Sequence, residues 1–359
     1  MSSTADESAI DLPARVRNAW LGRISGCMLG KPVELVSMTE GRDALGAYLA
    51  EAGVDELRDY VPAVPGTLIA DMLSKTCRGH ITCAVPDDDI NYTVLALLLV
   101  EQRGLDLTVE DVGRAWLTYL PGGMTFTAER EAYVKLLQGA GVGFTFGAPP
   151  EFDLAECSDN PNNDWIGAQI RADLYGWVLP GQPERAAKLA ATDAALSHRG
   201  EGVHGAEFVA AAGAALAGGA DIETAVGVGH SLLPADSACA AAVAMGRRVA
   251  EAGDGPEEIH RTYDHLPAVH TVNNLALVAW GLLRGAEDYS IAIGDTVAAG
   301  WDTDCNGATV GALWGLTGRP IPEHWTEPWN GRVLTTLAGV GELHVDDLID
   351  RTLAVCQSG

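Results

Sequence analysis

Apolar residues recur at helical spacing along most of this chain, and the polar breaks between them carry helix-boundary signals. Val16, Ala19, Trp20 and Ile24 follow Asp11 and Pro13, a pair suited to a helix start, so the pattern predicts a helix over residues 14–30 ending at Gly30. Tyr92 to Val100 is apolar on every side and precedes Gly104, which predicts a helix buried at the centre of the molecule. Residues 183–196 open on Pro183 and run through Ala186, Ala187, Leu189, Ala190 and Ala194, a helix small enough for close approach by its neighbours. Further helices are predicted over 204–217, 221–232, 236–252, 271–284, 288–299, 306–316 and 344–356, most of them bounded by Gly, Asp or Pro. Strand signals are sparse. The stretches 56–86 and 141–164 are rich in Pro, Gly, Asp and Asn and predict long ordered loops, which in a compact domain often carry function. The expected fold class is all-α, a compact multi-helix domain spanning 1–359 with no linker to divide it.

Composition narrows the function classes. A 47% hydrophobic chain of 359 residues can bury a large core. Its formal charge of −26, with 23 Lys and Arg in all, argues against nucleic acid and anionic membranes as partners, because both require clustered cations. The start, MSSTADESAIDL, has no basic region followed by an apolar stretch and does not read as a signal peptide. The most apolar run, Val94 to Val100, is far below the roughly 20 residues that span a bilayer. Seven cysteines without a C-x-x-C pair fit reduced thiols, so a soluble cytoplasmic protein is expected; oligomeric state stays open.

Two carboxylate clusters, far apart in sequence, supply the candidate chemistry. Asp87-Asp88-Asp89 follows Pro86 at the start of the central apolar helix, and Asp302 and Asp304, one residue apart, precede the helix predicted at 306–316. One Asp suffices for an N-cap. Two carboxylates about 4 Å apart repel by roughly 4 kcal/mol at an effective dielectric near 20, so convergence of the clusters calls for divalent metal. Gly307, Gly311 and Gly315 recur every four residues and leave a bare stripe that lets this helix pack tightly and carry the second cluster into the core. His198, His204, His265, His270 and Asn273 read equally well as structural residues, and Asn274 reads as a helix cap. Trp301 suits either a sugar face or core packing. No G-x-S-x-G, P-loop or H-E-x-x-H pattern occurs, which leaves serine-hydrolase, nucleotide-kinase and zincin readings without support.

Four segments in order resemble the ADP-ribosylglycohydrolase family, in its dinitrogenase reductase-activating, bacterial form. They are Gly22-Arg-Ile-Ser-Gly-Cys-Met-Leu-Gly30 with Glu34; Asp87-Asp88-Asp89; Gly167-Ala-Gln-Ile-Arg171 with Ser197-His198; and Trp301-Asp-Thr-Asp-Cys-Asn-Gly-Ala308. The resemblance covers roughly residues 14–318 and implies an orthogonal helical fold holding two divalent ions, normally Mg²⁺, with Mn²⁺ or Ca²⁺ as alternatives. It implies Asp88, Asp89, Asp302 and Asp304 as ligands, Asp87 in place of a ligating threonine, and Glu34 as mobile ligand or base. Glu34, Asp89 and Asp304 would stand nearest the reaction, hydrolysis of an N- or O-glycosidic ribosyl bond by water activated at the metals. Asp88, Arg171, His198 and Trp301 would meet the substrate.

This chain also departs from the family pattern, with Cys27 where family members usually carry Asp, Asp87 where they carry Thr, and Cys305 where they carry Thr. Cys305 is either a small buried apolar residue or a thiolate ligand favouring softer metals. Glu34, Asp87, Asp88, Asp89, Asp302 and Asp304 bring six negative charges against four on two divalent ions, which disfavours a diphosphate substrate unless Arg171 or Lys31 offsets them. Three readings follow: a hydrolase of ADP-ribosylated substrates, a glycosidase acting on a smaller glycoside or nucleoside, and a non-catalytic, crystallin-like binding or structural protein.

Overall fold

Helix after helix begins where a short polar side chain can satisfy the first free N–H groups of the turn. Asp11 accepts from the Ala14 N–H at 3.0 Å, Asp221 from Thr224 at 2.8 Å, Ser237 from Ala240 at 3.1 Å and Asp288 from Ile291 at 3.0 Å. The helices they open are Leu12–Gly30, Ile222–Leu232, Ala238–Glu251 and Tyr289–Ala299, each close to its predicted position. The computed structural model describes residues 10–358, so most of the stretch read against a signal peptide, residues 1–9, lies outside it. Among the described residues, eighteen α-helices stand against one two-stranded antiparallel sheet, Arg332–Leu334 paired with Glu342–His344, so the fold is all-α. No described helix is long and apolar enough to cross a membrane.

Two boundary shifts matter for chemistry. The helix predicted at 92–100 runs from Asp88 to Arg103, and the one predicted at 306–316 runs from Thr303 to Gly315. Each therefore carries acidic residues within its first turn, where the aligned peptide dipoles favour negative charge. Sequence periodicity also misses Glu34–Glu40, Arg42–Glu51, Val109–Tyr119, Thr127–Gly139 and Glu257–Tyr263. Most of these are short or largely polar, although Thr108 and Asp111 form a reciprocal capping box legible in the sequence.

The centre of the molecule is an antiparallel pair, Leu12–Gly30 against Thr303–Gly315, and all residues of the second helix are buried. Its glycine stripe meets a matching stripe on the first helix: Gly22 faces Gly311, Gly26 faces Gly307, Gly30 faces Thr303 and Gly315 faces Asn18. A Cβ placed on Gly22 would lie 2.1 Å from the Gly311 carbonyl oxygen, and one on Gly26 would lie 2.0 Å from that of Gly307. The two backbones thus touch, an approach only residues without side chains permit. Thr303 locks the register by donating from Oγ1 to the Gly30 carbonyl at 2.9 Å, and Tyr289 donates to the Gly22 carbonyl at 2.9 Å. A similar close approach sets Gly246 of Ala238–Glu251 against Ala276 and Trp280 of the Thr271–Arg284 helix. Apolar side chains from nearly every helix join one contiguous core around the central pair.

Because the colliding atoms are backbone, neither partner can move aside without separating the helices. Gly26→Ala and Gly311→Ala should each lower unfolding free energy by about 3 kcal/mol or more, whereas Gly46→Ala, on an open helix face, should change it by no more than about 1 kcal/mol and in the stabilising direction. Urea unfolding of the three variants checks this; equal effects at all three positions would refute the packing account.

Candidate functional site

The helix pair brings the two carboxylate clusters together. Donor atoms of Cys27, Asp87 and Asp89 lie within 4.8 Å of one another, as do those of Asp89, Asp304 and Cys305, and those of Glu34, Asp302 and Asp304. Shared members link the three sets into one band of donors. Its parts come from the end of the Leu12–Gly30 helix, the start of Glu34–Glu40, the start of Asp88–Arg103 and the start of Thr303–Gly315.

Each cluster is held from behind. Arg23, wholly buried, continues the helical stripe of Val16 and Trp20 yet carries a charge; it donates to the Asp89 carbonyl at 2.8 and 3.0 Å, to Asp89 Oδ1 at 3.1 Å and to Asp173 Oδ2 at 2.7 Å. Asn274 grips the other cluster: its Oδ1 accepts from the Asp302 N–H at 3.3 Å and from Asn306 at 2.7 Å, while its Nδ2 donates to the carbonyls of Ala268 and His270 at 2.7 and 2.8 Å. Asn274 is therefore not the helix cap that the sequence suggested. His270 caps that helix, Nδ1 accepting from Val272 N–H at 3.2 Å, and Asn274 sits one turn in, turned toward the acidic loop. Approach to that loop runs through Gly300 and Trp301 with φ of +90° and +56°, a left-handed step that strains the bulky Trp301.

Lys31 lies among the carboxylates. Its Nζ is in direct contact with Asp87 Oδ2 and 3.4 Å from both Glu34 Oε2 and Asp304 Oδ2. Burial alone would lower the ammonium pKa, but Asp87, Asp304 and Glu34 together hold it above the ordinary lysine value, so Lys31 stays charged. The acids shift the other way. Glu34 is pushed up to about 10, first by burial and then by Asp304; Asp88 rises well above its usual range through burial and Asp87, and Asp302 does so through burial and Asp304. Burial also keeps the Cys27 and Cys305 thiols protonated, with Asp87 and Asp302 respectively reinforcing it. Asp89 Oδ2 and Asp302 Oδ1 are buried without any hydrogen-bond partner, a costly state that a cation would relieve. The all-oxygen set Glu34, Asp302 and Asp304 suits a hard divalent ion, whereas each of the other two sets includes a protonated thiol.

A cleft of about 380 Å³ opens over this floor, lined by Lys31, Glu34, Asp88, Asp302 and Cys305 below and by Phe126, Glu129, Trp165 and Val269 on its walls. Main-chain bonds pin one wall to the Asn274 segment, from the Ile166 N–H to the Val269 carbonyl at 2.9 Å and from the Thr271 N–H to the Asp164 carbonyl at 3.1 Å. Glu34, Asp88, Asp302 and Cys305 thus meet at the cleft, with Asp89 and Asp304 directly beneath. Several expected positions differ. Asp87 is the N-cap, accepting from Asp89 N–H at 2.9 Å, and its second oxygen holds Lys31, so both oxygens are already engaged. Arg171 is buried behind the wall, donating to Glu129 at 2.6 Å and Asp193 at 2.7 Å, and does not offset the floor's charge. His198 is fully enclosed, Nδ1 2.8 Å from Ser197 Oγ, its imidazole kept neutral by burial and by Arg171. Trp301 packs against His260, ring centres 4.1 Å apart and planes tilted by 38°, outside the cleft lining. Nor do the loops 56–86 and 141–164 line this cleft. Sequence reasoning passed over Arg23, Glu129, Phe126 and Trp165; of these only Arg23, a charge on an apolar stripe, left a readable signal.

The profile of the ADP-ribosylglycohydrolase family matches residues 8–356. A solved structure described as an ADP-ribosylglycohydrolase-related protein complex superposes with a TM-score of 0.61 at 21% identity, over 97% of this chain and 98% of that one, a likeness that establishes the fold. No curated protein matches the chain.

Since Asn274 positions Asp302 without being a donor to the cleft, Asn274→Ala should weaken divalent-cation binding about 10–100-fold, as loss of an outer-shell partner typically does. Titration calorimetry with Mn²⁺ measures it. Unchanged affinity in a folded variant would show that the acidic loop holds its shape unaided.

Proposed function

The chain belongs to the ADP-ribosylglycohydrolase family, and from that premise we propose that it is a cation-dependent hydrolase of a glycosidic bond, most simply with Mg²⁺. The observation that carries the reading is the Glu34–Asp302–Asp304 oxygen set at the cleft floor, with Asp302 Oδ1 buried and unpartnered. A divalent ion held there would orient sugar hydroxyls and water and lower the pKa of that water. By offsetting Asp304, that ion would return the raised Glu34 to its carboxylate form, and Glu34, partly exposed at the start of its short helix and opening into the cleft, would then take the proton of the attacking water. Asp88 accepts from a sugar hydroxyl, and the surrounding carboxylates stabilise the positive charge that develops on the ring as the aglycone departs. Phe126 and Trp165 supply apolar faces that exclude water and pack on the sugar or aglycone.

Cleft chemistry favours a glycoside without phosphate over an ADP-ribosyl group. Carboxylates of Glu34, Asp88, Glu129 and Asp302 line it, and Lys31, its one lining cation among the described residues, is already bound to Asp87. A diphosphate would find no free guanidinium to receive it, since Arg171 is committed elsewhere.

Release of free sugar should be followed across simple ribosides and other glycosides, nucleosides, ADP-ribose derivatives and ADP-ribosylated peptides, with Mg²⁺ or Mn²⁺ present. A phosphate-free glycoside should turn over best, and an Asp302→Asn/Asp304→Asn variant should lose on the order of 100-fold or more in kcat/KM. Saturating Mg²⁺ should raise the Tm of the parent protein by roughly 2–4 °C and leave the double variant unmoved. Cation binding without turnover of any substrate would instead support the non-catalytic, binding-protein reading.

A further inference from the structure

We propose that Lys31 serves as a built-in cation, so that this centre takes one divalent ion where the family resemblance implies two; this rests on the cation-binding reading of the Glu34–Asp302–Asp304 set. Lys31 follows directly on Gly30, the last residue of the backbone-packed helix, and its own N–H bonds the Cys27 carbonyl at 2.9 Å. Pro32 comes next. The side chain therefore leaves a rigid platform and reaches the gap between the two acidic clusters, touching Asp87 of one and approaching Asp304 of the other at 3.4 Å. A divalent ion bridging the clusters would have to occupy that same gap, against a positive charge already in place.

Donor chemistry points the same way, independently of Lys31. Asp87 has one oxygen committed to the helix cap and the other to Lys31, and Asp304 Oδ1 accepts from the Cys305 N–H at 3.1 Å. The two donor sets on the Asp87–Asp89 side each include a thiol, Cys27 or Cys305, where a hard ion prefers oxygen. The least committed all-oxygen set is Glu34–Asp302–Asp304: Lys31 reaches Glu34 and Asp304 only at 3.4 Å, and Asp302 Oδ1 has no partner at all. In this arrangement Lys31 is a positioning residue: it holds Asp87 and Asp304 at fixed separation and supplies charge that does not depend on metal supply.

The test is the number of Mn²⁺ ions per chain, by native mass spectrometry and calorimetry, with electron paramagnetic resonance to distinguish an isolated ion from a coupled pair. The parent protein should bind one ion and give an isolated-ion spectrum. Lys31→Ala should bind a second ion and give the exchange-coupled spectrum of a close pair. Should Lys31→Ala fail to fold, Lys31→Ala/Asp87→Thr removes both members of the buried pair and should likewise bind two. Two coupled ions in the parent protein would overturn the proposal, as would a single ion in the folded lysine variant. Binding of no ion by the parent would overturn the cation-dependent function itself, and so is distinguishable from failure of the lysine proposal alone.

Discussion

Backbone contact between the Leu12–Gly30 and Thr303–Gly315 helices is the constraint on which the rest of the structure depends. Glycines at four-residue spacing on both helices meet carbonyl against Cα, from Asn18–Gly315 at one end to Gly30–Thr303 at the other. Such a contact gives up side-chain burial at those positions and gains dispersion and rigidity from two backbones at near-minimal separation. It also fixes where the helices end. Lys31 and Glu34 at one terminus and Asp302 and Asp304 at the other are brought to the same place by a register that cannot slide without a collision.

Concentrating acids at that place opposes stability, and the surrounding structure offsets the cost in an identifiable way. Arg23 reaches from the middle of the first helix to the Asp89 carbonyl and carboxylate, and Asp173 shares its charge. Helix N-termini at Asp88 and Thr303 present their positive dipole ends to both clusters. Lys31 joins the clusters from the front. Even so, Asp89 and Asp302 each keep a buried oxygen without a partner. Groups left in that state are typical of sites organised for a ligand rather than for the stability of the free protein.

Thiols on one side and apolar, acidic walls above give this centre its chemical character. Cys27 and Cys305 bring protonated sulfur to positions beside Asp87, Asp89 and Asp304, so the band of donors is hard on the side of Glu34 and Asp302 and soft on the other. Above it the cleft offers apolar and acidic surface, while Arg171 serves the wall, bracing Glu129, and leaves substrate charge unanswered. Glu129 in turn packs where Gly167 lacks a side chain, since a Cβ there would lie 2.0 Å from its carboxylate oxygen. Family membership thus carries the fold, and the proposed preference for substrate and ion rests on these residues.

Local signals of period and capping were sufficient to read the helical class, most helix positions, the two acidic clusters and the tight packing implied by Gly307, Gly311 and Gly315, because each depends on residues a few positions apart. The short helix Glu34–Glu40 and the largely polar helix Thr127–Gly139 were not legible, since packing against the rest of the molecule stabilises them more than their own sequence does. Side-chain direction escaped as well: Arg171 and His198 belong to a motif beside the cleft yet face away from it, and Asn274 turned out to hold the acidic loop instead of capping a helix. Those outcomes depend on which neighbour, from another element tens of residues away in sequence, fills the space next to each group. By itself the sequence determined which residues could form helices and which could bind a cation; only the tertiary structure decided that Lys31, Asp87 and Asp304 share one gap, because the distance between them is set by two helix backbones in contact.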